Sequence, residues 1–198
     1  MEVNGQITTS SERGILLKKT IKKYSCEKIL EIGTWKGLGS TLCILESMNE
    51  NSKFITIESN KLFFDIASSN LKKFSKNNFK MIYGTIVSSD EVLLYASNLD
   101  LDSTREQWLN DDLNNIKLCT NVINDIFDKI DFLLLDGGEF STYTEWIKLK
   151  DRTTIVALDD INEIKNKQIY KELITNSNYK LIESSQEGNG FAIFKKTI

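Results

Sequence analysis

The chain has 198 residues, 40% of them apolar and 27% charged, and a net charge of −3. That is chain enough for one domain around a single core, and the acidic balance offers no field for a polynucleotide or an anionic membrane. With no histidine and no proline, every Ser-His, Cys-His and His-metal mechanism is excluded, as is every proline-containing motif.

The N-terminus, M-E-V-N-G-Q-I-T-T-S-S-E-R, is polar and carries acids early, so no secretory leader is expected. No apolar run approaches the ~20 residues of a membrane-spanning helix. Cys26, Cys43 and Cys119 have no paired spacing, which argues against a disulfide framework or a zinc site and for a reducing cytoplasm.

Ser10 or Ser11 can cap a first helix whose Leu17, Ile21 and Tyr24 share a face. Strands are predicted at Lys28–Ile32, Phe54–Glu58, Lys80–Tyr83, Asp131–Asp136 and Thr154–Asp159. Between them, Leu38, Leu42 and Leu45 predict one helix face, and Phe63, Ala67, Leu71 and Phe74 another. Ser88–Ile130 is longer than one crossover needs. It carries a capping-box pattern at Ser103 and Glu106, then Leu109, Leu113 and Ile116 at helical spacing. An inserted helical segment over 88–130 is expected, either a solvated addition or a lid or substrate wall. Tyr179–Glu183 and Gly190–Lys195, joined by Q-E-G-N-G, predict a closing pair with an antiparallel edge. The expected fold is α/β, a Rossmann-like three-layer sandwich. Its sheet is mostly parallel and seven-stranded, with an antiparallel C-terminal strand, in one domain spanning 1–198.

The first strand runs into I-L-E-I-G-T-W-K-G-L-G-S-T, Ile29–Thr41. A strand feeding a glycine turn into a helix N-terminus makes an anion-receptive cup. Gly33, Gly37 and Gly39 permit the sharp turn and a close approach. Thr34 and Trp35 lie within it, the tryptophan placed to cover a ligand. Ser40 and Thr41 can offer hydroxyls and free N–H groups to a carboxylate or phosphate. Glu31, expected to face the cup, would repel a pyrophosphate and attract an ammonium. Such a cup suits a zwitterion, such as the amino-acid end of S-adenosylmethionine. Glu58, ending the second strand, can accept both hydroxyls of a ribose. Gly84 and Thr85, just past the third strand, would border an adenine.

E-I-G-T-W-K-G-L-G-S-T followed by F-I-T-I-E-S resembles the class I S-adenosylmethionine-dependent methyltransferases, and the resemblance extends from S-S-E-R-G-I-L-L to G-N-G-F-A-I-F-K-K. It implies a seven-stranded sheet with the last strand antiparallel, and S-adenosylmethionine as cofactor.

The fourth and fifth strands end in I-D-F-L-L-L-D-G-G-E-F and T-I-V-A-L-D-D-I-N. Asp136, Asp159 and Asp160 can therefore converge beside the cup. Three carboxylates repel unless a cation or shared protons relieve them, and an oxygen-only set suits Mg²⁺ or another divalent ion. This pattern resembles the cation-dependent O-methyltransferases of the catechol and caffeoyl-coenzyme-A type, and small bacterial methyltransferases of sugars and natural products. The resemblance implies Asp136, Asp159 and Asp160 as metal ligands. Otherwise, Asp136 orients cofactor or substrate and Asp160 caps a helix beginning near Asn162. Relatives place a Lys or His three residues after the strand-four Asp; here Glu139 stands there, as a catalytic base beside Asp136, a further ligand or a surface acid. Tyr143 can wall the pocket. Trp108 and Trp146 are expected to be packing residues.

The expected activity is methylation of a small hydroxylated acceptor, cation-assisted, at an oxygen. A metal-independent methyltransferase and a non-catalytic cofactor-binding module are the alternatives. A nicotinamide enzyme would need G-x-G-x-x-G, where this loop has G-x-x-x-G-x-G. No nucleic-acid or membrane partner is expected, and a symmetric homodimer is left open.

Overall fold

The computed structural model describes residues 7–74 and 78–197; the ends of the expected domain, 1–6 and 198, lie outside them. The strands are β1 Lys28–Ile32, β2 Lys53–Glu58, β3 Phe79–Tyr83, β4 Ile130–Leu135, β5 Thr153–Asp159, β6 Tyr179–Ser185 and β7 Phe191–Lys196. They form one sheet in the order β3-β2-β1-β4-β5-β7-β6. β1 to β5 are parallel, and β7 is antiparallel to both its neighbours. The helices are α1 Glu12–Lys23, α2 Ser40–Ser47, α3 Lys61–Leu71, α4 Ser89–Ala96, α5 Ser103–Lys117, α6 Ser141–Leu149 and α7 Ile164–Thr175. This is the layered α/β architecture that the alternation of strand and helix patterns predicted. Among the described residues, no helix is long and apolar enough to cross a membrane. The three cysteines are free.

The expected closing pair forms the sheet's end, with the C-terminal strand antiparallel. Within the pair β7 enters between β5 and β6, which leaves β6 at the edge. F-A-I-F of β7 is fully buried, whereas β6 is largely half-exposed and carries Lys180 and Glu183. An apolar run belongs in the interior of a sheet, and a charged one blunts an edge. Gly188 and Gly190, with φ of 61° and 82°, make the reversal possible.

Alternation along the central strands divides the core in two. Leu30, Leu133, Leu135, Val156 and Leu158 pack on one face with Trp146, Ile169 and Leu173. Ile29, Phe132, Leu134, Ile155 and Ala157 pack on the other with Leu17, Ile21, Cys43 and Ile44. The period of two places Glu31 on the same face as Ile29, under α2. That explains a correction to the expected helix face. α2 buries Thr41, Cys43, Ile44 and Ser47, while Leu42 and Leu45 are half-buried and Leu38 precedes the helix. Trp146 is core, 2% exposed, but Trp108 is 41% exposed and does not pack as expected.

The expected insertion is two helices, α4 and α5, followed by a short 3₁₀ turn at Ile123–Asp125. Its caps differ from the predicted ones. Asp102, not Ser103, caps α5, accepting the Arg105 N–H at 2.9 Å. The reciprocal box forms at α4, where Ser88 Oγ accepts the Glu91 N–H and Glu91 Oε2 accepts the Ser88 N–H at 2.8 Å. Ser88→Ala and Asp102→Ala are each expected to cost about 1 kcal/mol in urea unfolding. Ser103→Ala should change stability by no more than a few tenths.

Candidate functional site

The glycine turn is built around a carboxylate. Glu31 is wholly buried in β1 and accepts hydrogen bonds from Ser40 Oγ (2.6 Å), Thr41 Oγ1 (2.7 Å) and Thr56 Oγ1 (2.7 Å). Burial pushes its pKa up to about 7, and the three hydroxyls work in the opposite direction. Glu31 thus does not face the cup, and the Ser40 and Thr41 hydroxyls are spent on it rather than on a ligand's carboxylate. A buried acid needs donors, and these are the donors nearest to it. Thr34 is also internal, its hydroxyl 2.5 Å from that of Thr56.

The rest of the turn divides by direction. Gly33, at φ 96°, lies so close to the Asp136 carbonyl that no Cβ fits. Gly37, at φ 74°, faces away from the crevice, against Leu71 and Ala67 of α3. Gly39 is the N-cap residue of α2 and leaves that end without a side-chain cap. Trp35, itself at φ 48°, sets its ring edge-on to Phe63, 6.1 Å between centroids.

A crevice opens at the C-terminal ends of β1, β2 and β4. Of the sequence-predicted residues, Gly33, Trp35, Glu58, Gly84 and Asp136 line it. Glu58 is held by two backbone donors, the N–H of Trp35 at 2.7 Å and of Asn60 at 2.8 Å. Burial raises its pKa. Thr85 does not line the crevice: it turns inward, its N–H on the Thr120 carbonyl and its hydroxyl within 3.3 Å of the Val87 carbonyl.

Sequence patterns did not single out several lining residues, among them Asn60, Phe63, Asp112, Asn115 and Glu145. Asp112 and Asn115 come from α5, three residues apart and so on one helix face, a spacing that could have flagged them. Asp112 reaches across to accept the N–H groups of Phe140 (2.8 Å) and Ser141 (3.3 Å). Burial pushes its carboxyl up to about 6. Glu145 of α6 is 5% exposed, and its Oε2 has no hydrogen-bond partner among the described residues. Burial, then the nearby Asp112 charge, pushes it up to about 8. Four carboxylates therefore line the crevice, and neither lysine nor arginine is among the residues that do.

Beside it the three aspartates converge as expected, with one carboxylate oxygen of each lying within 4.8 Å of the others. They are not alone. Lys165 Nζ lies 2.7 Å from Asp136 Oδ1 and 2.9 Å from Asp160 Oδ2, and Arg13 Nη1 lies 2.8 Å from Asp159 Oδ1. Burial raises the Asp159 pKa, as do the charges of Asp136 and Asp160. Burial works against the Lys165 charge but is outweighed by those acids, so the ammonium is held up. Lys165 already holds one oxygen of Asp136 and one of Asp160, and a divalent ion bound to those two oxygens would have to displace it. The residues therefore do not fit such an ion with Lys165 in place. Asp160, at φ 55°, does not cap α7, whose N-cap position is Glu163. Glu139 instead helps to hold the start of that helix, its Oε2 accepting the Lys165 backbone N–H at 2.9 Å. As the expected base, it is therefore already engaged by one oxygen. No sequence motif marks Lys165 or Arg13, the latter 146 residues from its partner.

No family model and no curated protein matches the chain. Solved structures do. The O-methyltransferase of Bacillus cereus, in complex with SAH, is 15% identical at TM-score 0.64, over 95% of this chain and 82% of that one. TomG of Streptomyces achromogenes, an O-methyltransferase of tomaymycin synthesis in complex with SAM, is 14% identical at TM-score 0.63, over 97% and 82%. The SAH-bound methyltransferase PaMTH1 of Podospora anserina is 14% identical at TM-score 0.60, over 96% and 80%. At these identities the likeness is one of fold: the chain has the Rossmann-like methyltransferase fold.

Glu145 makes a measurable contribution to stability against pH. Its folded pKa, about 8, lies above the roughly 4.3 of a free glutamate. As pH falls, the native state takes up the proton first. Stability is therefore lowest above pH 8, rises as pH falls towards 4.3, and is flat below for this group. Glu145→Gln should flatten this slope and stabilise the protein at pH 9 by on the order of a few kcal/mol, read from urea unfolding across pH.

Proposed function

We propose that the chain is an S-adenosylmethionine-dependent methyltransferase acting on an oxygen of a small hydroxylated molecule, such as a sugar or a natural product. The observation that carries this is the charge of the crevice. Glu58 and Asp112 line it without an ion pair among the described residues, Asp136 is paired with Lys165, and Glu145, its pKa at about 8, keeps its proton at neutral pH. No lysine or arginine lines it. The charge that remains disfavours a pyrophosphate and favours a ligand bearing positive charge. S-adenosylmethionine supplies such a ligand, with an electrophilic methyl group on its sulfonium.

The chain's own residues would divide the work. Glu58 sits at the end of β2 with both carboxylate oxygens oriented by backbone N–H groups, leaving lone pairs for the two hydroxyls of a ribose. Trp35 and Phe63 provide an apolar wall. Asp136 stands at the crevice with its pKa raised by burial and opposed by Lys165, as a carboxylate able to take the proton of an acceptor hydroxyl. The SAM- and SAH-bound structures of the same fold support this cofactor. Cation assistance has in its favour the convergence of three aspartates and a buried Asp160 Oδ1 with no partner among the described residues. Against it stands the ammonium of Lys165, and the distances favour the metal-independent form.

Titration calorimetry with S-adenosylhomocysteine is expected to give one site per chain with micromolar affinity, and NAD⁺ no heat. Glu58→Ala should weaken S-adenosylhomocysteine at least tenfold, about 1.4 kcal/mol, while leaving the unfolding midpoint of a folded variant available as control. Absence of binding to S-adenosylhomocysteine would remove the proposal.

A further inference from the structure

We infer that Lys165 is a built-in cation: its ammonium fills, in cis, the position between Asp136 and Asp160 that a divalent ion would take, and the chain binds no such ion there. This deepens the methyltransferase reading and rests on it for the meaning of the site.

The seat is constructed rather than incidental. Lys165 is the second residue of α7, and its side chain is 8% exposed, with Nζ 2.7 Å and 2.9 Å from two carboxylates. Its backbone N–H is fixed by Glu139. The next residue, Asn166, is fully buried and donates its amide to the carbonyls of Leu135 (3.0 Å) and Asp159 (2.5 Å), the ends of β4 and β5. The first turn of α7 is thus bolted to the same two strand ends that carry the aspartates. The ammonium is delivered by rigid backbone, not by a wandering surface chain. Arg13, still more deeply buried, compensates Asp159.

Mg²⁺ requires oxygens at about 2.0–2.1 Å in near-octahedral order. An ammonium donating to two of the three carboxylates, with Arg13 on the third, leaves each of them with one oxygen already engaged. A second positive charge at contact distance in a poorly solvated pocket would be strongly repelled. The substitution has a consequence for the acceptor. A divalent ion can chelate two vicinal oxygens, whereas an ammonium that donates hydrogen bonds to Asp136 and Asp160 has one N–H left. Lys165 would therefore give no advantage to a vicinal diol.

Mn²⁺ uptake by the chelator-treated full chain, followed by electron paramagnetic resonance, tests this. The wild type is expected to leave Mn²⁺ free up to about millimolar concentration. Lys165→Met, which uncovers Asp136 and Asp160, should bind one ion at least tenfold more tightly than the wild type. Lys165→Gln is measured alongside, and circular dichroism shows which variants are folded. Micromolar Mn²⁺ binding by the wild type would overturn the inference, whatever the variants do. So would a folded variant that binds Mn²⁺ no better than the wild type. Neither cofactor nor acceptor enters this measurement, so its failure is distinguishable from failure to bind S-adenosylhomocysteine.

Discussion

Parallel strands end together, and in this protein they end in acids. Glu31, Glu58, Asp136, Asp159 and Asp160 all sit at or near the C-terminal edge of the sheet, where burial makes an uncompensated carboxylate costly. The structure meets that constraint in three chemically different ways. Hydroxyls surround Glu31, backbone amides hold Glu58, and two cations neutralise the aspartate cluster. Each solution also fixes a piece of backbone. The Glu31 set draws the start of α2 down onto β1 and β2. The Glu58 set ties the glycine turn to β2. The aspartate set fastens α1 and α7 to β4 and β5.

The compensation is asymmetric, and the asymmetry shapes the site. Lys165 and Arg13 approach the aspartates from α7 and α1 and do not line the crevice. The crevice itself keeps the acids Glu58, Asp112, Asp136 and Glu145. Its negative charge rests on Glu58 and Asp112, since Asp136 is shared with Lys165 and burial keeps the proton on Glu145 at neutral pH. Asp112 makes α5 part of this arrangement: by accepting two N–H groups from the β4–α6 connection, it brings the helix beside the crevice. The long interval between β3 and β4 is thus tied into the site by polar contacts, Asp112 here and Asn115 with Asn60 at 3.2 Å, as well as by apolar packing.

Much of the fold was legible because its signals are local. The apolar runs of β1, β4 and β5, the glycine turn and the helix spacings are all readable within a few residues. The position of β7 between β5 and β6 was not, because strand order depends on which run is better buried. Nor was the face of α2: its leucines look like the core, yet the buried acid below recruits Ser40 and Thr41. The same cause reversed the roles expected of Glu31, Ser40 and Thr41. A sequence names donors and acceptors but does not say whether they find each other before they find a ligand.

By itself the sequence determined the layered α/β architecture, the glycine turn at the end of β1, and the delivery of acids from β2, β4 and β5 to one edge. Strand direction and periodicity are enough to place those. Only the tertiary structure decided how the acids are neutralised. Arg13 lies 146 residues from Asp159 and Lys165 lies 29 from Asp136, and neither belongs to a motif. Electrostatic compensation acts through space at a few ångströms, so the cations paired with the cluster could be recognised only once α1, α7, β4 and β5 stood together.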